Sequence, residues 1–421
     1  VDRQEQVAAL AGSLSRRTEV LQRALEYDSL EALDLSREPD VEQNVLQSYI
    51  RVQRGCDKFC AYCVVPFTRG PERSRPAAHI VQEARTLAER GCREVTLLGQ
   101  TVNSYVHQED GQAISFARLL KRVQEVDGID RVRFVTSYPA DWNEDIFRVM
   151  RDYPKIMPYL HIPAQSGSDR VLAGMKRGYT ADSYRRLMDT ARRYVPHIAL
   201  AGDFIVGFCD ETESDFQQSI QLVRDIEYAG LYVFKYSPRP GTRADRHLED
   251  NVPESEKSRR CNELIAVQRE IGAARRQGMI GQTVEVLVEG YSRLSRRAQG
   301  ETKAMLRTRG KQSPSFGADR VNGELRAWSG NEEGVLPESE QDRGSEVSAD
   351  RQDQLVGRTP HDTITVFDAP PAMIGATVRV YVEDASPHTL FGRLVEVVSP
   401  ARRGLAPPSD IARSVALPVV G

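Results

Sequence analysis

Half of the six cysteines in this 421-residue chain crowd into eight positions: Cys56, Cys60 and Cys63, in RGCDKFCAYCVVPFTRG. Thiolates are soft ligands, suited to zinc or to iron–sulfur clusters. Structural zinc takes four ligands, usually as two separated pairs. No second pair exists here, because Cys92, Cys209 and Cys261 stand isolated in the sequence. A cubane of four irons held by three thiolates keeps one iron open, and an open iron is a place for chemistry. S-adenosylmethionine (SAM) can chelate such an iron through its amino and carboxylate groups. An electron from the cluster entering the sulfonium then yields a 5′-deoxyadenosyl radical. Zinc, or a purely structural role, is the competing reading of the same thiols.

A loop of this kind has to be held by regular structure. SYIRVQ predicts a strand that ends at the cysteines. Strands and helices then alternate: a helix over 78–90, the strand EVTLLG, a helix over 116–126, the strand RVRFVTS, a helix over 143–152 and the strand YLHIP. A helix capped by Thr180 follows, then the strand IALAGDFIVGF, a helix with the Thr212/Asp215 capping-box signature, and the strand LYVFKYS. Regular β-α alternation predicts a parallel sheet or barrel. About six units are present, fewer than the eight of a full (β/α)8 barrel. The expected fold is therefore α/β: a partial (β/α)6 TIM-type barrel, with the cysteine loop at its carboxyl-end face.

Polar residues gather at the predicted strand ends, where a barrel places its function. Gly99 and Gln100 end the second strand, with Asn103 in the next loop, Thr136 and Ser137 end the third, Gln165 and Ser166 follow the fourth, and Asp203 lies in the fifth. Gln100 and Gln165 are the candidate contacts to SAM or substrate. His161, inside an apolar strand, reads first as a satisfied core histidine. Arg69, Arg73 and Arg75 flank the cysteine loop, where they would face phosphates, the SAM carboxylate or simply solvent. Cys92 and Cys261 read as small apolar fillers.

Taken together, these segments resemble the radical SAM methylthiotransferases. GCDKFCAYCVVPFTRGPERSRP, LLGQTVNSY, FVTSYP, HIPAQSGSDRVLAGMKRGYT, DFIVGF and YSPRPGT match that family in order, over about residues 47–398. VVPFTRG and LLGQTVNSY favour the branch acting on N6-dimethylallyladenosine in tRNA. Related branches act on threonylcarbamoyladenosine in tRNA or on an aspartate of a ribosomal protein. The resemblance implies a [4Fe-4S] cluster on Cys56, Cys60 and Cys63 and a SAM cofactor. It puts Tyr62 near the SAM adenine, with loop packing as the plainer alternative. It also implies a tRNA anticodon stem-loop as partner, an electron donor such as flavodoxin or ferredoxin, a monomer and a cytoplasmic setting. One departure stands out: CDET occupies the place where the family has Pro-Gly-Glu-Thr, so Cys209 replaces a proline.

The expected domains are a remnant of an N-terminal domain with its linker over 1–46, a radical SAM core over 47–278, and an RNA-binding TRAM-like β-barrel over 279–400. Strands TVEVLVEG, DTITVFD, ATVRVYVED and GRLVEVV build the last of these, and LVEGYSRLSRRAQGETKAMLRTRGK supplies cations for phosphates. Residues 303–356, polar and without apolar periodicity, read as a disordered insertion, and 401–421 as a mobile tail. The family normally begins with a domain holding a second [4Fe-4S] cluster, expected only in a full-length form. This chain alone is therefore expected to cleave SAM without methylthiolating. A non-catalytic RNA-binding remnant is the alternative of another class. Net charge is only −3, which neither supports nor excludes nucleic acid. No apolar run is long enough to span a bilayer, and no secretory signal opens the sequence.

Overall fold

A computed structural model describes residues 46–298, 318–321, 324–327 and 353–401. The expected N-terminal remnant, the tail and most of the expected insertion lie outside the described residues. Six parallel strands form the first half: β1 (Gln47–Arg51), β2 (Glu94–Leu98), β3 (Arg131–Phe134), β4 (Tyr159–His161), β5 (Ala199–Val206) and β6 (Gly230–Lys235). They pair in two parallel sheets, β1-β2-β3 and β4-β5-β6. A bridge between Val132 and Ile156 joins the two sheets at the β3–β4 seam. The partial barrel expected from the alternation is present, with β1 and β6 as its edges.

Alternation along each strand decides what faces where. Ile50, Val95, Leu97, Val132, Phe134, Leu160, Leu200, Phe204 and Val233 point outward and are buried in the main core. The helices α1 (Ala77–Glu89), α2 (Phe116–Gln124), α3 (Glu144–Asp152), α4 (Ala181–Tyr194), α5 (Glu213–Ile226) and α6 (Glu254–Gln277) bury their apolar stripes against them. Their starts follow local capping chemistry. Ser115 caps α2, Asn143 caps α3, and Thr180 and Thr212 make full capping boxes for α4 and α5. The opposite faces of the strands, carrying Tyr49, Glu94, Arg133, Tyr159, His161, Asp203 and Tyr232, line the barrel interior. At the two edges Tyr49, Tyr232 and Phe234 remain 47%, 52% and 39% exposed, so the interior opens to the side between β1 and β6.

The second half is a closed five-stranded barrel of β7 (Thr283–Tyr291), β8 (Gln354–Arg358), β9 (Ile364–Asp368), β10 (Thr377–Ala385) and β11 (Thr389–Ser399), in the order β7-β8-β9-β11-β10. Its own core contains Val286, Val288, Leu355, Phe367, Val378 and Val380. The expected insertion is corrected at two places. Strand β8 already begins at Gln354, inside the stretch read as disordered, and a hairpin pairs Ala318–Val321 with Glu324–Ala327. Strand β8 escaped notice because it is short and emerges from a polar run.

The small barrel docks on the amino ends of β1–β3. Arg93 donates to the Gly375 carbonyl and, at 2.6 Å, to Ser399 Oγ, while its Nε pairs with Asp130. Arg131 donates to the Arg358 carbonyl at 2.8 Å and pairs with Glu285 at 3.1 Å. Arg133 grips the Thr359 and Pro360 carbonyls at 2.9 and 3.0 Å and pairs with Glu94 at 3.1 Å. The loop joining β8 to β9 thereby sits against the foot of the six-stranded barrel. All three arginines are buried, and their forks satisfy carbonyls that would otherwise be stranded away from water.

Candidate active site

The cysteine loop leaves β1 at the opposite, carboxyl end. Gly55 turns the chain with φ +70°, and a Cβ there would collide with the Pro71 carbonyl oxygen. That close approach lets Cys56 N donate to the Gly70 carbonyl at 3.2 Å, which closes the loop. Glu72 then fastens the loop to the segment after β2, accepting from Thr101 Oγ1 at 2.6 Å and Ser104 Oγ at 2.7 Å. On the other side, Ala61 N donates to the Met175 carbonyl at 2.9 Å, and its own carbonyl accepts from Ala244 N at 2.8 Å. The loop is thus tied to three separate parts of the rim.

Cys56 and Cys63 are half-buried and Cys60 is buried; all three are free thiols. Burial pushes the Cys56 thiol up to about 11 and raises Cys63 as well; Cys60 and Cys63 add to the first, and Cys60 to the second. Arg177 and Arg239 pull Cys63 the other way. Among the described residues no three His, Cys, Asp or Glu side chains close around a single ion. Three free thiols on one loop that do not converge on one point suit a larger group with several metal atoms. Coordination would remove their protons outright.

Several rim segments meet behind Cys60. Arg177, just after the short helix Asp169–Gly174, donates Nη1 to Cys60 Sγ at 3.2 Å. Its Nε donates to Tyr179 Oη at 2.9 Å, and its guanidinium lies 4.6 Å from the Tyr138 ring centre and 5.1 Å from that of Tyr179. Tyr138 is held in turn by Asn103, whose amide makes two 2.8 Å bonds to the Tyr138 backbone. Burial by itself would lower the Arg177 pKa, but Tyr179, Tyr62 and Cys60 carry it well above the usual arginine value. Sequence reading assigned Arg177 no role. The only signal was its place in the MKRGYT segment.

The remaining expected residues fall at the same rim with different surroundings. Tyr62 is half-buried against a small core of Ala61, Val171, Met175, Phe208, Cys209, Tyr236 and Ala244, and burial raises its pKa strongly. Gln100 lies half-buried in the bend after β2. Gln165 has φ +69° and bridges β5: its N donates to the Asp203 carbonyl at 2.7 Å and its carbonyl accepts from Ile205 N at 2.9 Å. Its side-chain Oε1 is buried and has no hydrogen-bond partner among the described residues. An amide oxygen held that way is ready for a donor from a bound molecule.

Two expectations are corrected. His161 is not a core histidine: it lies on the interior face of β4, 2.9 Å from Asp203 Oδ1 and edge-on to Tyr232. Arg75 does not face solvent or phosphate. It is buried, donating to the Arg51 carbonyl at 2.6 Å and to Glu83 at 2.8 Å. The CDET departure is locally accommodated. Cys209 is buried beside Tyr236, and Asp210 adopts φ +61°, a conformation aspartate tolerates better than most residues. Two bonds to Asn251, at 2.6 and 2.9 Å, hold it there.

Comparison with known proteins agrees with this arrangement. The Radical SAM superfamily model matches residues 50–223, and the TRAM domain model matches 345–395. The tRNA-2-methylthio-N(6)-dimethylallyladenosine synthase of Rhodopirellula baltica is 43% identical over 383 residues, covering 90% of this chain and 70% of that protein. The chain belongs to this synthase family. The Roseobacter denitrificans relative of the same name is 48% identical over 61% of this chain and 58% of its own length. The Parabacteroides distasonis relative is 37% identical over 83% and 65%. The chain therefore spans about two thirds of the length of these synthases. Its radical SAM portion takes a [4Fe-4S] cluster and SAM. The residues present fit both groups, in the three free thiols on one loop and in the unsatisfied Gln165 Oε1 on the facing rim. No helix among the described residues is long and apolar enough to cross a membrane.

Proposed function

We propose that this chain performs the radical SAM step of a tRNA methylthiotransferase, which converts N6-dimethylallyladenosine beside the anticodon to its 2-methylthio derivative. Cys56, Cys60 and Cys63 would hold the cluster, with Tyr62, Gln100 and Gln165 toward SAM. The observation that carries the reading is the pairing of a three-thiol loop with an unsatisfied amide across one rim, above an interior that opens sideways. When bound, the cluster and SAM supply the one-electron chemistry that removes a hydrogen from the adenine base. The chain's own residues do the rest. Gly55, Glu72 and the Ala61 backbone fix the cysteine loop. The cap of Tyr138 and Tyr179 keeps water from Arg177 and Cys60. Tyr49, Tyr232 and Phe234 offer aromatic faces at the side opening, suited to stacking on a base.

The partner is the anticodon stem-loop of tRNA, with a flavodoxin or ferredoxin as electron source, and the chain works as a monomer in the cytoplasm. The basic stretch after β7 is the candidate phosphate contact. Arg293 and Arg296 begin it, in a short helix, and its remainder from residue 299 lies outside the described residues. The test is anaerobic reconstitution with iron and sulfide, followed by incubation with SAM, a reductant and tRNA carrying N6-dimethylallyladenosine. Mass spectrometry should show 5′-deoxyadenosine from this chain, and the 2-methylthio nucleoside from a longer form that also carries the second cluster. Product only on threonylcarbamoyladenosine tRNA, or on a ribosomal protein, would redirect the assignment. Tight tRNA binding with no 5′-deoxyadenosine would leave a binding protein.

A further inference from the structure

Arg177 reaches a cysteine sulfur by a hydrogen bond, and the fold invests three separate segments in placing it. Nη1 donates to Cys60 Sγ at 3.2 Å, Nε to Tyr179 Oη at 2.9 Å, and Nη2 to the Pro163 carbonyl at 3.5 Å. The plane of the fork is boxed by the Tyr138 and Tyr179 rings, which meet edge to face with centres 5.8 Å apart. Tyr138 Oη accepts from Gly178 N at 3.0 Å, next to Arg177 itself, and Asn103 locks the Tyr138 backbone. Tyr179 Oη reaches the Ala164 carbonyl at 2.9 Å. Loops after β2, β3 and β4 therefore converge on one guanidinium, and its free end meets the most buried of the three thiols. Among the described residues its partners are sulfur, phenols and carbonyls, with no carboxylate.

We propose that Arg177 is a positioning residue that raises the reduction potential of the cluster through its charged N–H···S bond to Cys60. This rests on Cys60 being a cluster ligand. Hydrogen bonds to sulfur, net charge and solvent exposure set iron–sulfur potentials. A reduced cluster carries one more negative charge than an oxidised one, so a fixed cationic donor at a ligand sulfur favours the reduced form. The aromatic box keeps the donor desolvated, where its charge acts most strongly. In a one-electron cofactor the consequence is easier loading of the electron that the reaction consumes.

The experiment is an anaerobic redox titration followed by electron paramagnetic resonance on reconstituted wild type, Arg177→Gln and Arg177→Lys, with iron and sulfide counted in each. Arg177→Gln should hold its cluster yet show a lower midpoint, by at least a tenfold change in the redox equilibrium, which is about 59 mV for one electron. Arg177→Lys keeps the charge and should fall by less. A midpoint in Arg177→Gln equal to or above that of wild type overturns the inference. So does a loss of cluster yield with an unmoved midpoint, because Arg177 would then be support alone. Should Arg177→Gln not fold, Tyr179→Phe removes the Nε anchor without touching the charge. It should shift the midpoint in the same direction, and no shift there would also overturn the inference. Cys60→Ala separates the two claims: if it retains the wild-type cluster, Cys60 is not a ligand and the site assignment fails first.

Discussion

At the carboxyl ends of the six strands the chain leaves regular structure. Phe59, Thr136, Gln165 and Asp210 all have positive φ there, and Gln165 leaves a buried oxygen unsatisfied. At the amino ends the groups that plug the foot are buried arginines whose forks are matched to carbonyls of the small barrel. The rim holds a buried amide oxygen without a protein partner, while the foot ties its guanidinium forks to carbonyls and carboxylates. The difference teaches that this chain divides binding and rigidity between the two mouths of one barrel, as strain tends to gather at functional sites.

The contrast can be broken most severely at the rim. Cys56→Ala or Cys63→Ala should drop bound iron from about four per chain to none after reconstitution, with unfolding of the apoprotein changed by less than about 1 kcal/mol. Iron assay and urea denaturation read the two effects; a cluster retained in either variant would remove that thiol from the site.

The complementary cut at the foot is Arg133→Met. It strands Glu94 Oε2 and two carbonyls at a buried interface, and should cost about 3–5 kcal/mol of stability. Urea unfolding reports the loss, and the spectrum of the cluster should not change. An altered spectrum would mean that the two ends are coupled.

The foot also predicts a pH dependence. Glu289 is pushed up to about 7, first by burial and then by Glu94 and Asp362, against the opposing charge of Arg358. A carboxyl raised in the folded state contributes stability fully below its unfolded value of about 4.5, and that contribution disappears as pH rises through about 7. Wild type should therefore lose stability between about pH 5 and 8, by a few kcal/mol at most. Glu289→Gln should flatten this slope, as melting temperatures across that range would show.

Two smaller effects sharpen the picture of the rim. Gln165→Leu should weaken SAM binding about tenfold, equivalent to about 1.4 kcal/mol, while leaving the melting temperature level or higher, since it deletes an unsatisfied buried oxygen. Equilibrium binding to the reconstituted protein measures it, and unaltered affinity would remove Gln165 from the SAM site. Asp210→Gly exchanges the Asn251 bonds for a relaxed backbone at φ +61° and should change stability by less than about 1 kcal/mol. A larger loss in calorimetry would show that the Asn251 bonds outweigh the backbone strain.

Much of the fold was open to reading from local pattern. Apolar periodicity located six strands and their helices, and Asn143, Thr180 and Thr212 marked helix starts because capping is decided within four residues. The hairpin Val106–Glu109/Gln112–Ser115 and strand β8 were not legible, being short and polar. At the site, the cysteine spacing declared itself without any neighbour.

The sequence by itself determined which residues are chemically able to hold the cluster, because ligand type and spacing are local properties of the chain. Tertiary structure decided which face each strand residue took. His161 turned inward to Asp203, Arg131 and Arg133 became anchors for a barrel more than 200 residues away, and Arg177 arrived at Cys60 across 117 residues. The physical reason is that a guanidinium's role depends on which sulfur, ring or carbonyl ends up within about 3 Å, and only the folded chain brings those groups together.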